Sequence, residues 1–444
     1  MEGRGSCGPG PQDPRPRPIL YPKALRLYIQ IMPNSIIQDL KHLDFNNEIP
    51  SVMHVDINSC FATIEQQYNP KLRGKEIAVC ANNIPEGCIL APSIEAKRVG
   101  IKTGMRIFEA KKIFPNLITL EADPPKYRLI HSKMRKLLDT YTDHLEPKSI
   151  DEFVLHLKNY PAMKIGLIKV VKEIKSRIRS EIGEWISVSV GIGPNRFLAK
   201  TAAGLIKPDG LEQIDINNFL NIYSKLGLED LHGISTHNKQ RLNQVGIFSV
   251  LDFYYAAPIV IGAAFKSISS YYWILRLHGY EIDDFQTKRG SFSQSYVLPT
   301  PLTDPSKIKI VIQKLVEKCG QRLRAQGYTT NKIGIGIKFA NHTYWHDTIN
   351  SKRNLSDSID IYKSVLSIYV KSPHKESVRK LEIYCLNIKK STGTQLDLFC
   401  DTLREQNLTQ VIDKINSKYG AFTIKPGAII GTKEMAPDRI AFGR

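Results

Sequence analysis

Alternating apolar and polar residues predict a strand just after residue 50 that presents a carboxylate. Within 52–58 (VMHVDIN), Val55 and Ile57 share one face. His54 and Asp56 share the opposite face. Because side chains alternate between the two faces of a β-strand, this pattern indicates a half-buried strand with Asp56 on its polar side.

The next periodic segments predict strands that alternate with helices. The order is a strand over 148–157, a helix over 162–183, a strand over 185–192 and a helix over 194–210. The last of these helices would carry Lys200 and Lys207 on one face, since they are seven residues apart. This order predicts an α+β domain in which helices cover a ferredoxin-like sheet.

The C-terminal half predicts a helical segment and then a second mixed unit. Residues 229–255 indicate two short helices joined by Gly233-Ile234-Ser235. From residue 288 the pattern restarts as a separate βαββαβ unit. Its elements are a strand over 291–298, a helix over 306–326, strands over 331–340 and 343–349, a helix over 356–370 and a strand over 379–389.

The charge of the chain predicts a polyanionic partner. Its 62 Lys and Arg outnumber its 43 Asp and Glu, a net charge of +19. Residues 288–390 alone hold 19 basic and 7 acidic residues, or +12. A surplus concentrated in one domain-sized block favours nucleic-acid binding there, although any single cluster of charges can also be a solvated surface.

Composition argues against a membrane protein or an exported one. The longest uncharged apolar run is 253–265, whereas spanning a bilayer takes about 20 residues. The seven cysteines form no CxxC pair, which indicates reduced thiols and no zinc site. We therefore expect a cytoplasmic protein without a membrane partner. Residues 1–48 form an extension, expected to be disordered at least to residue 18, where Gly and Pro are frequent.

Three carboxylates are candidates for metal chemistry: Asp56 and the adjacent pair Asp151 and Glu152. Such residues could hold two divalent cations, because Mg²⁺ prefers hard oxygen ligands. Neighbours on a regular strand point to opposite faces, so Asp151 and Glu152 converge only at a turn or bulge. Most acidic residues are merely solvated, and their spacing alone leaves both interpretations open.

The surrounding motifs resemble a known family. The segments HVDINSCFATIEQQYNPKLRGKEIAV (54–79), KSIDEF (148–153) and SVGIGPNRFLAKTAAGLIKPDG (189–210) are similar, in this order, to the Y-family translesion DNA polymerases of the DinB/UmuC group. The resemblance runs from about residue 50 to the C-terminus.

That resemblance implies an α+β polymerase with the right-hand architecture. Its parts are a ferredoxin-like palm, small fingers, a helical thumb with a helix–hairpin–helix, and a separate βαββαβ little-finger domain. The implied domains are a palm over 50–220 with fingers inserted at about 69–123, a thumb over 221–285, a little finger over 288–390 and a tail over 391–444.

The resemblance also implies roles for individual residues. Asp56, Asp151 and Glu152 match the catalytic carboxylates, which with the carbonyl of Ile57 bind two Mg²⁺ ions, Mn²⁺ being an acceptable substitute. Phe61 matches the aromatic steric gate that excludes a ribose 2′-OH.

Further residues match the nucleotide-binding positions. The backbone N–H groups of Ser59 and Cys60 would meet the triphosphate, as would Lys97 and Lys207; Lys200 is a weaker candidate. Many DinB-type members have Tyr and Arg at the positions of Ile94 and Lys97. The sequence of this segment, over 82–97, is more similar to UmuC than to DinB.

The implied DNA contacts lie in the thumb and the little finger. They are Gly233 and Ser235 in the thumb hairpin, and Lys288, Arg289 and Ser291 at the start of the little finger.

A short motif after the little finger resembles the bacterial sliding-clamp-binding peptide. It is QLDLF (395–399), with Gln395, Leu396, Leu398 and Phe399 as its contacts. The tail that follows resembles the C-terminal part of UmuC, which implies a UmuD-type accessory subunit as a further partner.

The function implied is error-prone, template-directed DNA synthesis across damage, within the SOS response to DNA damage, with primer–template DNA and dNTPs as substrates and no proofreading. Two alternatives stay open: a two-metal nuclease, and a non-catalytic DNA- and clamp-binding protein.

Overall fold

A computed structural model describes residues 43–284, 289–373, 376–391, 402–432 and 435–436. The chain divides into two compact units, with the boundary near residue 286. The division of the first unit into palm, fingers and thumb stays a prediction.

The first unit contains two sheets and the helices that cover them. Its strands are β1 Val52–Ile57, β2 Ile77–Cys80, β3 Ile89–Pro92, β4 Ile118–Glu121, β5 Leu145–Pro147, β6 Glu152–His156, β7 Val188–Gly193 and β8 Leu211–Gln213. Its helices are α1 Cys60–Tyr68, α2 Ile94–Arg98, α3 Ile107–Ile113, α4 Pro124–Leu138, α5 Pro161–Ile165, α6 Leu167–Arg177, α7 Arg196–Leu205, α8 Phe219–Tyr223, α9 Thr236–Gln244, α10 Val250–Tyr255, α11 Pro258–Phe265 and α12 Ser269–Leu277.

The main sheet has the strand order β5-β6-β1-β7-β8, with β1 antiparallel to both neighbours. Met53, Val55 and Ile57 of β1 face a core that helices α4 and α6 complete. The prediction that this strand is half-buried was wrong. Helix α7 covers the other face as well, so that His54 is 2% exposed and the strand opens toward solvent only near Asp56.

The predicted helix over 162–183 is broken. Gly166 has φ 91°, outside the helical range, and separates α5 from α6. The last turn, Ile178–Ile182, is π-helical. The apolar spacing was therefore correct, but the glycine interrupts the backbone hydrogen bonds that a continuous helix would need.

A smaller sheet, in the order β3-β2-β4, lies within the segment predicted as fingers. Helices α2 and α3 pack on its core. Ser93 caps α2, its Oγ accepting a hydrogen bond from the N–H of Ala96 at 3.1 Å. This cap fixes where the helix that carries Lys97 begins.

The two α-helices within 229–255 are α9 and α10, which are joined over residues 245–249 and not at Gly233. Before Gly233 the chain forms a single 3₁₀ turn, Leu228–Asp230, and after it α9 begins at Thr236. Gly233 has φ 98°, and its carbonyl accepts a hydrogen bond from Asn238 Nδ2 at 3.0 Å. The predicted number of helices was therefore correct, but the predicted junction at Gly233-Ile234-Ser235 was wrong, because the segment before the glycine forms only a 3₁₀ turn.

The second unit has the predicted βαββαβ order. Its elements are β9 Phe292–Leu302, α13 Pro305–Ala325, β10 Tyr328–Phe339, β11 Tyr344–Leu355, α14 Ser358–Tyr369 and β12 Val378–Lys390. The strands form one antiparallel sheet in the order β11-β10-β12-β9. Its core lies between this sheet and the two helices.

The C-terminal segment packs on the second unit. Helix α15, Thr402–Tyr419, is held by Asp413, whose carboxylate pairs with Arg324 of α13 at 2.7 and 2.9 Å. Thr409 donates to Asp357 at 2.9 Å. Beyond it, Ile429 in the 3₁₀ turn Gly427–Ile429 is buried.

In the part of the chain that the structure describes, none of the helices combines the length and the apolar character needed to cross a bilayer.

The close approach of β7 to α7 generates a stability prediction. A Cβ on Gly191 would lie far inside van der Waals distance of the Ala199 carbonyl and the Ala203 amide. We expect Gly191→Ala to lower the free energy of unfolding by about 3 kcal/mol, since backbone cannot easily move aside.

The matched control lies on α7, the helix against which Gly191 packs. Gly204 has open space around its Cβ position, so Gly204→Ala should be neutral or stabilise by up to about 1 kcal/mol. Equal losses in urea unfolding of the two variants would contradict the packing account.

Candidate active site

One cavity of about 520 Å³ gathers most of the predicted palm and fingers residues. It lies where the ends of β1 and β6 meet the N-terminus of α1 and the helix α2. The residues that line it are Asp56, Ile57, Asn58, Ser59, Cys60, Phe61, Leu90, Ala91, Pro92, Ile94, Lys97, Arg98, Thr103, Asp151, Glu152, Lys207 and Pro208.

Sheet register brings the three carboxylates to this cavity. Asp56 and Glu152 are directly paired across the antiparallel strands β1 and β6. Asp151 lies in the bend before β6, and its carbonyl accepts a hydrogen bond from the N–H of Ile57 at 3.0 Å. The predicted turn therefore lets Asp151 and Glu152 reach the same cavity.

Two lysines hold two of these carboxylates. Lys207 Nζ donates to Asp56 Oδ2, and Lys200 Nζ contacts both oxygens of Glu152, at 2.8 and 2.9 Å. The shared helical face predicted for the lysines was wrong, because α7 ends at Leu205. Lys207 lies on the turn that follows the helix.

The pKa values of the paired carboxyls shift in opposite directions. Burial raises the pKa of Asp56 above its usual value, and Lys207 only partly opposes this. Burial would also raise the pKa of Glu152, but the hydrogen bond from Lys200 and nearby positive charge lower it below its usual value. Glu152 is therefore firmly ionised, while Asp56 depends more strongly on a cation.

Asn58 organises the turn that carries Lys207, a role that the sequence did not indicate. Its Nδ2 donates to Ser189 Oγ at 2.9 Å, and its Oδ1 accepts from the N–H of Asp209 at 2.9 Å. Ser187 Oγ also donates to this Oδ1 at 3.1 Å. These hydrogen bonds of the buried amide require an asparagine at position 58.

His54 lies behind Glu152, on the buried half of the polar face. Its Nε2 is 3.9 Å from Glu152 Oε1, and within the described residues neither ring nitrogen has a hydrogen-bond partner. Burial lowers the pKa of His54 to about 3, so the ring is neutral at neutral pH. It therefore packs beside Glu152 without contributing a charge.

The start of α1 offers backbone donors to the cavity. Ser59 adopts a left-handed conformation, with φ 47° and ψ 43°, immediately before the helix. The first N–H groups of a helix have no partner within it, so those near Ser59 and Cys60 suit an anion. Burial raises the pKa of the Cys60 thiol, which stays protonated.

Phe61 follows on the same helix turn. Its side chain is only 4% exposed, yet it lines the cavity. The ring is therefore a rigid wall beside the carboxylates.

The segment predicted as fingers contributes further cations. Lys97 and Ile94 lie on α2 and line the cavity, together with Arg98 and Thr103. The pKa of Lys97 is lowered, chiefly by partial loss of water and also by the proximity of Lys207. Arg98 went unnoticed in the sequence because it lies next to an equally basic residue.

The donor set suits a hard divalent cation. Three carboxylates and the Ile57 carbonyl position border one cavity, and the ammonium groups of Lys207 and Lys200 already mark where positive charge is favoured. Oxygen ligands of this kind are those that Mg²⁺ prefers.

A second cluster in the first unit is already neutralised. Ligand atoms of Glu146, His156 and Asp284 lie within 4.8 Å of one another, closer together than those of the three cavity carboxylates. The buried guanidinium of Arg196 occupies their centre, 2.5 Å from Glu146 and 2.6 Å from Asp284. Arg196 therefore serves as the cation of this cluster.

The remaining predicted contacts are distributed over both units. Gly233 and Ser235 lie just before α9 in the first unit. In the second unit, Arg289 stacks over the Phe292 ring at 4.7 Å and Ser291 is exposed. Lys288 and the clamp-binding motif 395–399 lie outside the described residues.

Solved structures identify the class of fold. A Y-family DNA polymerase chimera, Dbh-Dpo4(243-245)-Dbh, matches with a TM-score of 0.67 and 24% identity, covering 76% of this chain and 99% of that one. The insertion ternary complex of Dbh DNA polymerase matches with a TM-score of 0.55 and 23% identity over the same shares. The fold is that of the Y-family polymerases.

Sequence comparison then gives the family. The impB/mucB/samB family matches residues 55–204, and its C-terminal domain matches 289–398. Together these matches span more than half of the chain, which therefore belongs to the impB/mucB/samB family. The resemblance drawn from the sequence motifs is confirmed.

Curated relatives cover nearly the whole chain. DNA polymerase IV 1 of Bacillus subtilis (strain 168) is 29% identical over an alignment of 406 residues that covers 88% of this chain and 96% of that protein. DNA polymerase IV of Acetivibrio thermocellus is 27% identical, over 85% of this chain and 97% of that protein. The closer resemblance to UmuC is not supported by these names and stays a prediction.

The Lys200–Glu152 pair generates a pH-dependence prediction. We expect Lys200→Met to lower the free energy of unfolding by about 2 kcal/mol at pH 7, because it leaves a half-buried carboxylate without its partner. The lowered pKa means that the pair stabilises the protein above pH 4.5, and that this stabilisation is lost as Glu152 is protonated at lower pH. The difference between variant and wild type should therefore shrink as the pH falls below 4.5.

Urea unfolding between pH 3 and 7 measures this difference. Lys239→Met is the control, since Lys239 and Glu229 form a much more exposed pair at 2.7 Å that water and salt screen. A loss in Lys200→Met that does not vary with pH would contradict the charge pairing.

Proposed function

We propose that this chain is a template-directed DNA polymerase of the Y family that performs error-prone translesion synthesis. The observation that carries the proposal is the combination, at one cavity, of three carboxylates, a helix N-terminus with two lysines, and the ring of Phe61. The names of the relatives, DNA polymerase IV, agree with it.

In the proposed site, Asp56, Asp151, Glu152 and the Ile57 carbonyl would hold two Mg²⁺ ions, for which Mn²⁺ can substitute. When bound, such ions lower the pKa of a primer 3′-hydroxyl and neutralise charge on the phosphates and on the leaving pyrophosphate. Lys207 is then free to leave Asp56 for a phosphate oxygen, since both groups attract the same ammonium.

The chain's own groups orient the nucleotide. The N–H groups at Ser59 and Cys60, with Lys97 and Lys207, offer donors for the triphosphate. Phe61 would contact the sugar, where its ring leaves no room for a 2′-hydroxyl. Positioning and electrostatic stabilisation are what phosphoryl transfer requires of a protein, and no separate acid or base is needed.

Two parts of the chain offer hydrogen-bond donors or positive charge to the phosphates of the DNA backbone. Gly233 and Ser235 precede the N-terminus of α9, whose free N–H groups suit a phosphate. The second unit carries the basic surplus, to which Arg289 contributes and which suits sequence-independent contact with the duplex backbone.

A nuclease and a non-catalytic DNA-binding protein are disfavoured by particular residues. A two-metal nuclease needs the carboxylates but has no use for an aromatic wall at the position of Phe61. A protein without catalysis has no need to hold Asp56, Asp151 and Glu152 at one cavity, where their mutual repulsion costs stability.

Two partners are proposed from the sequence alone. QLDLF at 395–399 would bind the bacterial sliding clamp through its apolar side chains, and the tail would suit a UmuD-type subunit.

Removing carboxylates tests the proposed activity. We expect the variant Asp151→Ala, Glu152→Ala to extend a primer at least about 10³-fold more slowly than wild type, because the ions lose two ligands. It should also lose the rise in melting temperature that Mg²⁺ causes in wild type. Glu181→Ala removes an exposed carboxylate of the same domain and should change neither property. Unchanged extension by the double variant would refute the assignment.

Removing the gate tests the role of Phe61. Phe61→Ala should raise the insertion of ribonucleotides relative to deoxynucleotides by on the order of tenfold or more, because a 2′-hydroxyl then finds space. Single-nucleotide insertion with dATP and ATP opposite template dT measures the ratio. If the ratio stays at the wild-type value, Phe61 is not a gate.

A further inference from the structure

Phe61 is backed by a second aromatic ring. Tyr127, from α4, stacks on it with ring centroids 4.5 Å apart and planes 12° from parallel. Tyr127 is completely buried and is not among the residues that line the cavity, whereas Phe61 is. The Tyr127 ring therefore lies behind Phe61, on the side away from the cavity.

Tyr127 is itself fastened to the helix that carries Phe61. Its hydroxyl donates to Glu65 Oε1 at 2.8 Å, and Glu65 lies one turn after Phe61 on α1. Lys126 Nζ is 2.7 Å from Glu65 Oε2 and 3.4 Å from Asp123, so the carboxylate that accepts the hydroxyl is held as well. One buried side chain thus contacts α1 at two points one turn apart.

Burial also keeps this attachment intact at neutral pH. It raises the pKa of the Tyr127 phenol above its usual value, and the negative charge of Glu65 acts in the same direction. The hydroxyl therefore stays protonated and remains a donor.

A steric gate excludes ribonucleotides only if its ring cannot move away from the sugar. A side chain that borders a void can move by an ångström at little cost, whereas one that is stacked against a fixed ring must disturb a packed interior. Phe61 borders the cavity on one side and stacks on Tyr127 on another. The Tyr127 ring therefore opposes movement of Phe61 away from the cavity, which is the movement that a 2′-hydroxyl would demand.

We propose that Tyr127 is a specificity-determining positioning residue, which holds the Phe61 ring forward so that ribonucleotides are excluded. The proposal rests on the proposed function of Phe61 as the gate. Tyr127 does not touch the nucleotide, and its effect on sugar selection passes through Phe61.

The test is the ratio of kcat/KM for dATP to that for ATP, opposite template dT. In Tyr127→Ala the ratio should fall by about tenfold or more, because Phe61 can recede into the space vacated by the ring. Tyr127→Leu keeps more of the buried volume and should lower the ratio to a smaller extent. If the alanine variant does not fold, the ratio measured with Tyr127→Leu tests the proposal. Tyr127→Phe keeps the stack but loses the bond to Glu65, and should lie between wild type and Tyr127→Leu.

Tyr223→Ala is the matched control. Tyr223 is also completely buried and hydrogen-bonded through its hydroxyl, to the Leu277 carbonyl at 2.7 Å, but in the hydrophobic cluster around α8 to α12. Its loss should lower stability and leave the ratio unchanged. If Tyr127 were only structural, its variants would behave in the same way, with both nucleotides affected equally.

A double variant separates this proposal from the proposed gate. In a Phe61→Ala background, adding Tyr127→Ala should not change the ratio further, since the two residues act through one ring. A ratio that falls in Phe61→Ala but not in any Tyr127 variant would overturn the role of Tyr127 alone. A ratio that stays constant in Phe61→Ala would overturn the gate itself, and the role of Tyr127 with it.

Discussion

The repulsion between two carboxylates on adjacent strands is the constraint on which the site depends. Asp56 and Glu152 face each other across the β1–β6 pair, an arrangement that destabilises a sheet unless positive charge lies nearby. Lys207 and Lys200 supply that charge, one for each carboxylate. Both lysines come from the single segment formed by α7 and the turn after it, so the packing of this segment on β7 decides whether the carboxylates can coexist.

This arrangement links stability to the proposed chemistry. The glycine at Gly191 lets α7 lie close to the sheet, and Asn58 fixes the turn from which Lys207 reaches Asp56. The two lysines differ in their surroundings: Lys207 borders the cavity, whereas Lys200 is not among the residues that line it. In the proposed function, Lys207 would exchange its carboxylate for a phosphate, while Lys200 would continue to orient Glu152.

Local patterns predicted β1, β6, β7 and the elements of the second unit, and the family motifs indicated most of the residues around the cavity. Alternation around Asp56 located the central strand, and the βαββαβ order of the basic block was correct. Patterns of this kind report which side of an element is apolar, and that information is local. They could not show that α7 also covers the polar face of β1, because this depends on a helix more than a hundred residues away.

The same limit explains what the sequence missed at the site. The spacing of Lys200 and Lys207 indicated a shared helical face. Because α7 ends at Leu205, only Lys200 is helical, and the two lysines pair with different carboxylates. No pattern in the sequence singled out Tyr127, and nothing in its neighbourhood along the chain indicates a contact with Phe61. Its stacking depends on how α4 packs against α1, a tertiary contact that only the coordinates reveal.

The position of the bound metal ions would test the role of the three carboxylates most directly. Crystals of the protein with primer–template DNA, a non-hydrolysable dNTP and Mn²⁺ would locate the ions by anomalous scattering. We expect two peaks coordinated by Asp56, Asp151 and Glu152, with Lys207 displaced from Asp56. Manganese found only elsewhere, with the Asp56–Lys207 pair intact beside the bound nucleotide, would contradict this role.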